Sequence, residues 1–361
     1  MKFIHTADLH LDSSLLCNLE PEQARCRKRE LLDTFLRMVE YAGNHEVRAI
    51  LIAGDMFDSK NILVKTRKEV LKAMESHPEI DFLYLKGNHD ADGFLSALSE
   101  RPSNLKTFAD SWTSYTYGGV MITGAELSAG NVQHLSETLN LDKSATNIVM
   151  LHGQVSEYSG AAKEQAERIP LSALRGRGID YLALGHIHSY INGKLDDRGD
   201  YVYSGCPEGR GFDETGAKGF VLLDVTDGCV EYEFVPFACR RISECFVDVS
   251  GLETTTEVRE AISDASIQSN PDLMLKITLS GEVGAGVEFD TDLLTKQFKD
   301  DFYCLKIKDE TKLHINYEDY RYDHSLKGEF IRRVLESELP KDLQRRVIMS
   351  GLKALRGEAL K

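Results

Sequence analysis

The sequence contains no run of 18 apolar residues, so no segment reads as a membrane-spanning helix. It also lacks any C-x-x-C pair. Its seven cysteines, Cys17, Cys26, Cys206, Cys229, Cys239, Cys245 and Cys304, are odd in number and scattered. That argues against a disulfide framework and a structural zinc knot, and leaves reduced, packing thiols as the expectation. The opening stretch Met1-Lys2-Phe3-Ile4-His5-Thr6-Ala7-Asp8 is too short for a signal-peptide core, so a cytoplasmic location and no membrane partner are expected. Positive charge is scarce as well: 43 Lys and Arg against 58 Asp and Glu give a net charge of -15. Proteins that neutralise phosphates usually carry a basic face, so bulk charge gives a nucleic-acid role no support. The deficit is uneven. Residues 321–361 hold ten Lys and Arg against six Asp and Glu, a local +4 that leaves -19 on the first 320 residues.

What remains is the composition of an ordinary globular protein, 42% apolar and 28% charged. At 361 residues the chain exceeds what one hydrophobic core organises, and a large domain with a smaller one is the default. Buried-strand patterns occur at Lys2 to Thr6, Ala49 to Ala53, Phe82 to Leu85, Asn147 to Leu151 and Tyr181 to Leu184, with helices between them at Arg27 to Ala42 and Ile62 to Ser76. Alternating strands and helices predict an open α/β sheet, whose strand ends gather along one edge, where ligands bind.

Each of the five runs ends in a residue able to bind a metal. The first leads to Asp8-Leu9-His10, where alternate positions of extended backbone can point the same way. The second stops at Gly54-Asp55, where glycine lets the chain turn and present the carboxylate. The third leads to Gly87-Asn88-His89-Asp90, the fourth to His152-Gly153 and the fifth to Gly185-His186-Ile187-His188. Taken singly, each is weak, since a turn aspartate, a surface histidine or a simple turn would explain it. Together Asp8, His10, Asp55, Asn88, His152, His186 and His188 form a carboxylate, amide and imidazole set without thiolate, suited to Mn, Fe or Zn. Seven donors are too many for one such ion and fit two, provided a carboxylate bridges. His5, His45, His77, His134, His314 and His324 lie outside these motifs and read as structural or surface.

The ordered set Asp8-x-His10, Gly54-Asp55, Gly87-Asn88-His89-Asp90, His152 and Gly185-His186-x-His188 resembles the calcineurin-like metallophosphoesterase superfamily. Phe3 to Leu11, Gly54-Asp55-Met56-Phe57-Asp58 and Tyr203-Ser204-Gly205-Cys206-Pro207-Glu208-Gly209-Arg210-Gly211-Phe212 are similar to the SbcD branch of DNA-repair nucleases and its YhaO-type members. Relatives often have serine where this chain has Cys206. The resemblance implies a four-layer αββα sandwich carrying two divalent metals, with Mn favoured over Fe or Zn. Asp8, His10, Asp55 and His188 would hold one ion, and Asp55, Asn88, His152 and His186 the other. Two cations about 3.5–4 Å apart acidify a shared water and clamp the attacking and leaving oxygens of an in-line displacement. His89 would face the scissile phosphate as general acid or charge stabiliser, with Asp90 orienting it. Asp58 and Asp12 read as turn or supporting residues, and Arg210 as a phosphate contact or plain surface.

Strands at Tyr201 to Ser204, Gly219 to Val225 and Val230 to Val235 complete the expected two-sheet domain, 1–238. Residues 239–320, with strands at Cys245 to Val249 and Leu273 to Leu279 around a helix at Thr255 to Asp264, resemble a small α/β capping domain. Residues 321–361 show apolar stripes at Leu326, Phe330, Val334 and Leu335, and at Leu343, Val347, Ile348, Leu352 and Leu355. Such a C-terminal helical hairpin either packs on its own chain or, as the resemblance implies, docks an SMC-like (SbcC-type) ATPase. A DNA exonuclease and endonuclease is the expected function, and a homodimer is expected from the family alone. The alternatives are a phosphomonoesterase or cyclic-nucleotide phosphodiesterase with the same metal site, or a scaffold.

Overall fold

The computed structural model describes residues 1–13, 15, 19–58, 62–90, 93–98, 100–157, 167–265, 268–284, 287–314 and 322–355. The chain divides into two compact units, Met1–Ile242 and Ser243–Lys361. The domain boundary expected between residues 320 and 321 lies outside the described residues, as does Cys17. The other six cysteines are free thiols. Among the described residues no helix is long and apolar enough to cross a membrane.

In the first unit the chain alternates strand and helix: β1 (Lys2–Thr6), α1 (Pro21–Asn44), β2 (Val47–Ala53), α2 (Val64–Ser76), β3 (Asp81–Leu85), the one-turn α3 (Gly93–Ser96), β4 (Leu105–Thr107). A hairpin follows, β5 (Thr113–Tyr117) and β6 (Val120–Gly124), then α4 (Val132–Thr138), β7 (Thr146–His152), the two-residue strands β8 (Gln154–Val155) and β9 (Arg168–Ile169), α5 (Leu171–Leu174) and β10 (Tyr181–Gly185). The strands β11 (Ile191–Lys194), β12 (Asp200–Tyr203), β13 (Gly219–Thr226) and β14 (Cys229–Pro236) finish the unit. Two six-stranded sheets result, ordered β14-β13-β1-β2-β3-β4 and β11-β12-β10-β7-β6-β5. Their central strands are parallel: β1 with β2, β2 with β3, β6 with β7 and β7 with β10. Antiparallel partners close the sides, as β13 does on β1 and β11 on β12.

Three apolar layers explain the stacking. Phe3, Leu51, Leu83, Ile148, Met150 and Ala183 fill the space between the sheets. Outside the first sheet, Ile50, Ile52 and Phe82 meet Leu31, Phe35, Met38 and Val70 of α1 and α2. Outside the second, Val149, Leu151 and Leu182 meet Leu139, Leu171 and Leu174. Strands buried on both faces read as continuous apolar runs because neither face sees water, and each buried aliphatic side chain contributes roughly 1.5–3 kcal/mol. The unit is thus the four-layer αββα sandwich expected from the resemblance. Helix α1 starts six residues before the expected Arg27, because its first turn is polar. Pro21 and a Glu20–Gln23 capping box define that start, which apolar periodicity cannot register.

The second unit contains a three-stranded sheet of Ile242–Asp248, Asn270–Ser280 and Phe302–Asp309, with helices Thr255–Asp264 and Thr291–Phe298 sharing its core. Two further helices, Leu326–Leu335 and Lys341–Leu355, pack on each other through Ile331, Val334, Ile348 and Leu352. Ile331, absent from the expected stripe, is fully buried, whereas the stripe's Leu326 is 71% exposed.

Candidate metal centre

The sheets meet at the C-terminal ends of β1, β2, β3, β7 and β10. The loops leaving β1 and β2 run side by side: the Asp8, His10 and Leu11 amides donate to the carbonyls of Gly54, Asp55 and Met56, each at 3.0 Å. Glycine is required twice where the sheets touch. Gly54 has φ +93°, and a Cβ there would strike the His152 ring; a Cβ on Gly185 would overlap the Ala53 carbonyl. Register does the rest, since Gly185 lies opposite His152 and Ala53 opposite Leu85.

The backbone here is strained. Seven described non-glycine residues have φ in the left-handed region, and five of them, Asp8, His10, Asp12, Asp55 and His186, lie at this rim. Such conformations cost about 1–3 kcal/mol each and persist where surrounding structure imposes them. Here they turn side chains away from the strand directions and toward one another. Asp12 offsets part of that strain, accepting from the Leu63 amide at 2.9 Å and the Thr66 hydroxyl at 2.8 Å to tie its loop to the start of α2.

All seven expected donors are brought together. The Asp8 carboxylate accepts from the His186 amide at 3.0 and 3.1 Å. His10 Nε2 and His188 Nε2 face each other at 3.1 Å. His152 Nε2 lies 3.3 Å from Asp55 Oδ2 and 2.9 Å from Asn88 Oδ1, with its Nδ1 2.9 Å from the Ala53 carbonyl. The His186 ring centre is 5.6 Å from that of His152, and His186 Nε2 is buried without a hydrogen-bond partner. Asp8, His10 and His188 offer donor atoms within 4.8 Å of one another, and so do Asp8, Asp55 and His152.

The electrostatics follow from packing carboxylates and imidazoles in one buried space. Burial pushes the Asp55 carboxyl up, but His152, His10 and the His89 amide more than offset it, and its pKa falls well below the usual range. Burial likewise disfavours charged His152, yet Asp55 and Asp8 raise it to about 9. His186 goes down, through burial first and the neighbouring His152 second. Positive charge on His152 balances Asp55, as a cation would. The orphaned His186 Nε2, the opposed Nε2 pair and the carboxylates beneath them fit divalent metal ions.

His89 sits beside this group. Its amide donates to Asp55 Oδ1 at 2.9 Å, and its Nδ1 is 2.7 Å from Asp58 Oδ1. Partial burial works against the Asp58 carboxylate, but contacts with His10 and His89 and the charge of Arg210 hold its pKa well below the usual range. The expectation that Asp90 orients His89 is corrected: among the described residues, the carboxylate against the ring is that of Asp58. Asp90 accepts from the amides of Met56 (3.2 Å), Phe57 (2.9 Å) and Gly87 (3.0 Å), bracing the loops that carry Asp55 and Asn88. Its burial, with Asp55 nearby, raises its pKa to about 6.

Behind His188 lies a group that motif reading misses. Glu214 Oε1 is 2.8 Å from His188 Nδ1, and the Lys218 ammonium donates to the His188 carbonyl at 2.5 Å. Arg210, expected as a phosphate contact or surface residue, is buried and paired with Glu214 at 2.9 Å and Asp58 at 3.5 Å. Cys206 is buried beside it, its thiol pushed up by burial and by Glu214. Glycine-rich spacing gives no sign that Glu214 returns to a residue 26 positions earlier.

Residues 1–190 match the family described as calcineurin-like phosphoesterase. The chain is 30% identical over 277 residues to the uncharacterized metallophosphoesterase YhaO of Bacillus subtilis, covering 73% of this chain and 67% of that one. It is 24% identical over 298 residues to the DNA double-strand break repair protein Mre11 of Sulfolobus acidocaldarius, covering 78% and 76%. With the SbcD component of the Bacillus subtilis nuclease SbcCD it shares 25% identity over 276 residues, covering 63% and 67%.

Proposed function

Since the chain belongs to the calcineurin-like phosphoesterase family and is thereby a metal-dependent hydrolase, we propose that it is a two-metal phosphodiesterase that cuts DNA. It would act as an exonuclease and single-strand endonuclease within a DNA-repair complex. One ion would be held by Asp8, His10, Asp55 and His188, the other by Asp55, Asn88, His152 and His186, with Mn favoured over Fe or Zn for an oxygen and imidazole set. When bound, the pair acidifies a water and neutralises charge gathering on the phosphate. The observation carrying this reading is the 3.1 Å approach of His10 Nε2 to His188 Nε2. A hydrogen bond between the two nitrogens needs one ring to carry its proton there, whereas two neutral rings that both turn an Nε2 lone pair inward, beside Asp8 and Asp55, suit a shared cation.

The chain's own residues then divide the work. Asp55 reaches both halves of the donor set and would bridge. Asp58 holds His89 by Nδ1, so His89 would serve as the acid in its doubly protonated form, with Nδ1–H on Asp58 and the Nε2 proton free to pass to a departing oxygen. The DNA substrate is supported by the names of the Mre11 and SbcCD relatives. An SMC-like ATPase partner would dock on the last two helices, where Leu326, Leu343 and Leu355 remain exposed. Residues 1–238 would form the catalytic domain, and the chain would work in the cytoplasm as a homodimer.

The test incubates Mn²⁺-loaded protein with labelled duplex DNA, single-stranded DNA and a small phosphate ester, beside His89→Ala. Cleavage of DNA by wild type alone supports the proposal. Cleavage of the small ester only would replace it with a phosphomonoesterase. Co-purification of an ATPase partner with a chain truncated after Tyr320 would remove the helices from the docking role.

A further inference from the structure

Seven donors converge on the rim, but their ring nitrogens point usefully only if each imidazole carries its proton on the far side. The group behind His188 addresses that requirement. Glu214 is 5% exposed, and its Oε1 lies 2.8 Å from His188 Nδ1. The carboxylate is itself fixed: the Arg210 amide donates to Oε2 at 2.6 Å, and the Arg210 guanidinium donates to Oε1 at 2.9 and 3.1 Å. The Lys218 ammonium, 4% exposed, holds the His188 carbonyl. The Arg210 Nη2 also lies 3.3 Å from His188 Nδ1, but the Glu214 oxygen is nearer and, as an acceptor, sets the proton there; His188 is gripped at its ring and at its backbone, and its Nε2 faces His10 Nε2.

We propose that Glu214, clamped by Arg210, is the positioning residue for His188: it accepts a hydrogen bond from Nδ1–H and so leaves Nε2 as the lone pair directed at the metal site. The inference rests on the metal reading above. A carboxylate behind a ligating imidazole fixes its tautomer and orientation, and losing it typically weakens metal binding about 10–100-fold. Arg210 extends the arrangement, because the same guanidinium reaches Asp58 Oδ2 at 3.5 Å, and Asp58 holds His89. One buried cation thus braces the carboxylates behind a ligand and behind the acid.

The test titrates chelator-stripped full-length wild type, Glu214→Gln and His188→Ala with Mn²⁺, by calorimetry and by the electron paramagnetic resonance of free Mn²⁺. Wild type should bind two ions. Glu214→Gln should keep one at wild-type affinity and weaken the other about 10–100-fold, the same one that His188→Ala loses. Two unchanged sites in Glu214→Gln would overturn the positioning role, and equal weakening of both with a lowered melting temperature would make Glu214 merely structural. Failure of wild type to bind Mn²⁺ would sink the metal reading and this inference with it. The second measurement needs no variant: long-range ¹H–¹⁵N correlations of the His188 ring in Zn²⁺-loaded wild type. A proton on Nδ1 is expected, and a proton on Nε2 would overturn the proposal.

Discussion

The rim of the sandwich and the last two helices are built by opposite rules. At the rim, donors from five strand ends, up to 180 positions apart, are packed together, and Asp8, His10, Asp55 and His186 among them are buried on left-handed backbone. The helices Leu326–Leu335 and Lys341–Leu355 meet through a handful of aliphatic side chains supplied by neighbours in sequence. The rim tolerates strain and desolvation to hold polar atoms where they oppose one another; the helices bury what is apolar and leave the remainder exposed.

The sharpest break in that comparison is His89→Ala. As the proposed proton donor, His89 should be worth about 10²–10⁴ in kcat, while Mn²⁺ stoichiometry and melting temperature should stay at wild-type values, as measured by turnover on labelled DNA beside calorimetry. Ile331→Ala works the other way. Its fully buried side chain lies at the centre of the helix pair, and the truncation should cost about 2–5 kcal/mol there. Amide exchange would then accelerate across both helices while metal binding at the rim is untouched.

A smaller effect probes the floor of the rim. His5 is fully buried on β1, its Nδ1 2.9 Å from the Tyr181 hydroxyl. Burial lowers its pKa to about 3, only partly opposed by the Leu184 backbone. Between pH 6.5 and 3 the unfolded chain therefore takes up a proton that the folded chain refuses. The His5 contribution to stability is full above about pH 6.5 and declines as pH falls, by about 1.4 kcal/mol at pH 5.5. The difference between the denaturant midpoints of wild type and His5→Gln should follow that slope. Smallest of all, Leu326→Ser on the exposed helix surface should change stability by less than about 0.5 kcal/mol, measured by the same denaturation, while weakening capture of the proposed ATPase partner.

The rim's donors are legible because each follows a buried apolar run and sits beside glycine or a second ligand type, so Asp8, Asp55, His152 and His186 can be picked out from spacing. Their supports are not. Glu214 and Arg210 lie in a glycine-rich loop whose path depends on tertiary contacts, and nothing local distinguishes Arg210 from a surface residue until its carboxylate partners are seen. Asp90 misleads because adjacency in sequence suggests contact with His89, whereas the turn at Gly87 aims it at the amides of Met56 and Phe57. Ile331 escapes for a related reason. The apolar stripe runs through Leu326, but the helix turns Ile331 toward its neighbour instead.

The most direct test of the two-metal rim is anomalous diffraction from crystals of the full chain soaked in Mn²⁺. Two peaks are predicted, one touching Asp8, His10 and His188, the other touching Asn88, His152 and His186, with the Asp55 carboxylate between them. A single peak, or peaks remote from Asp55, would contradict it.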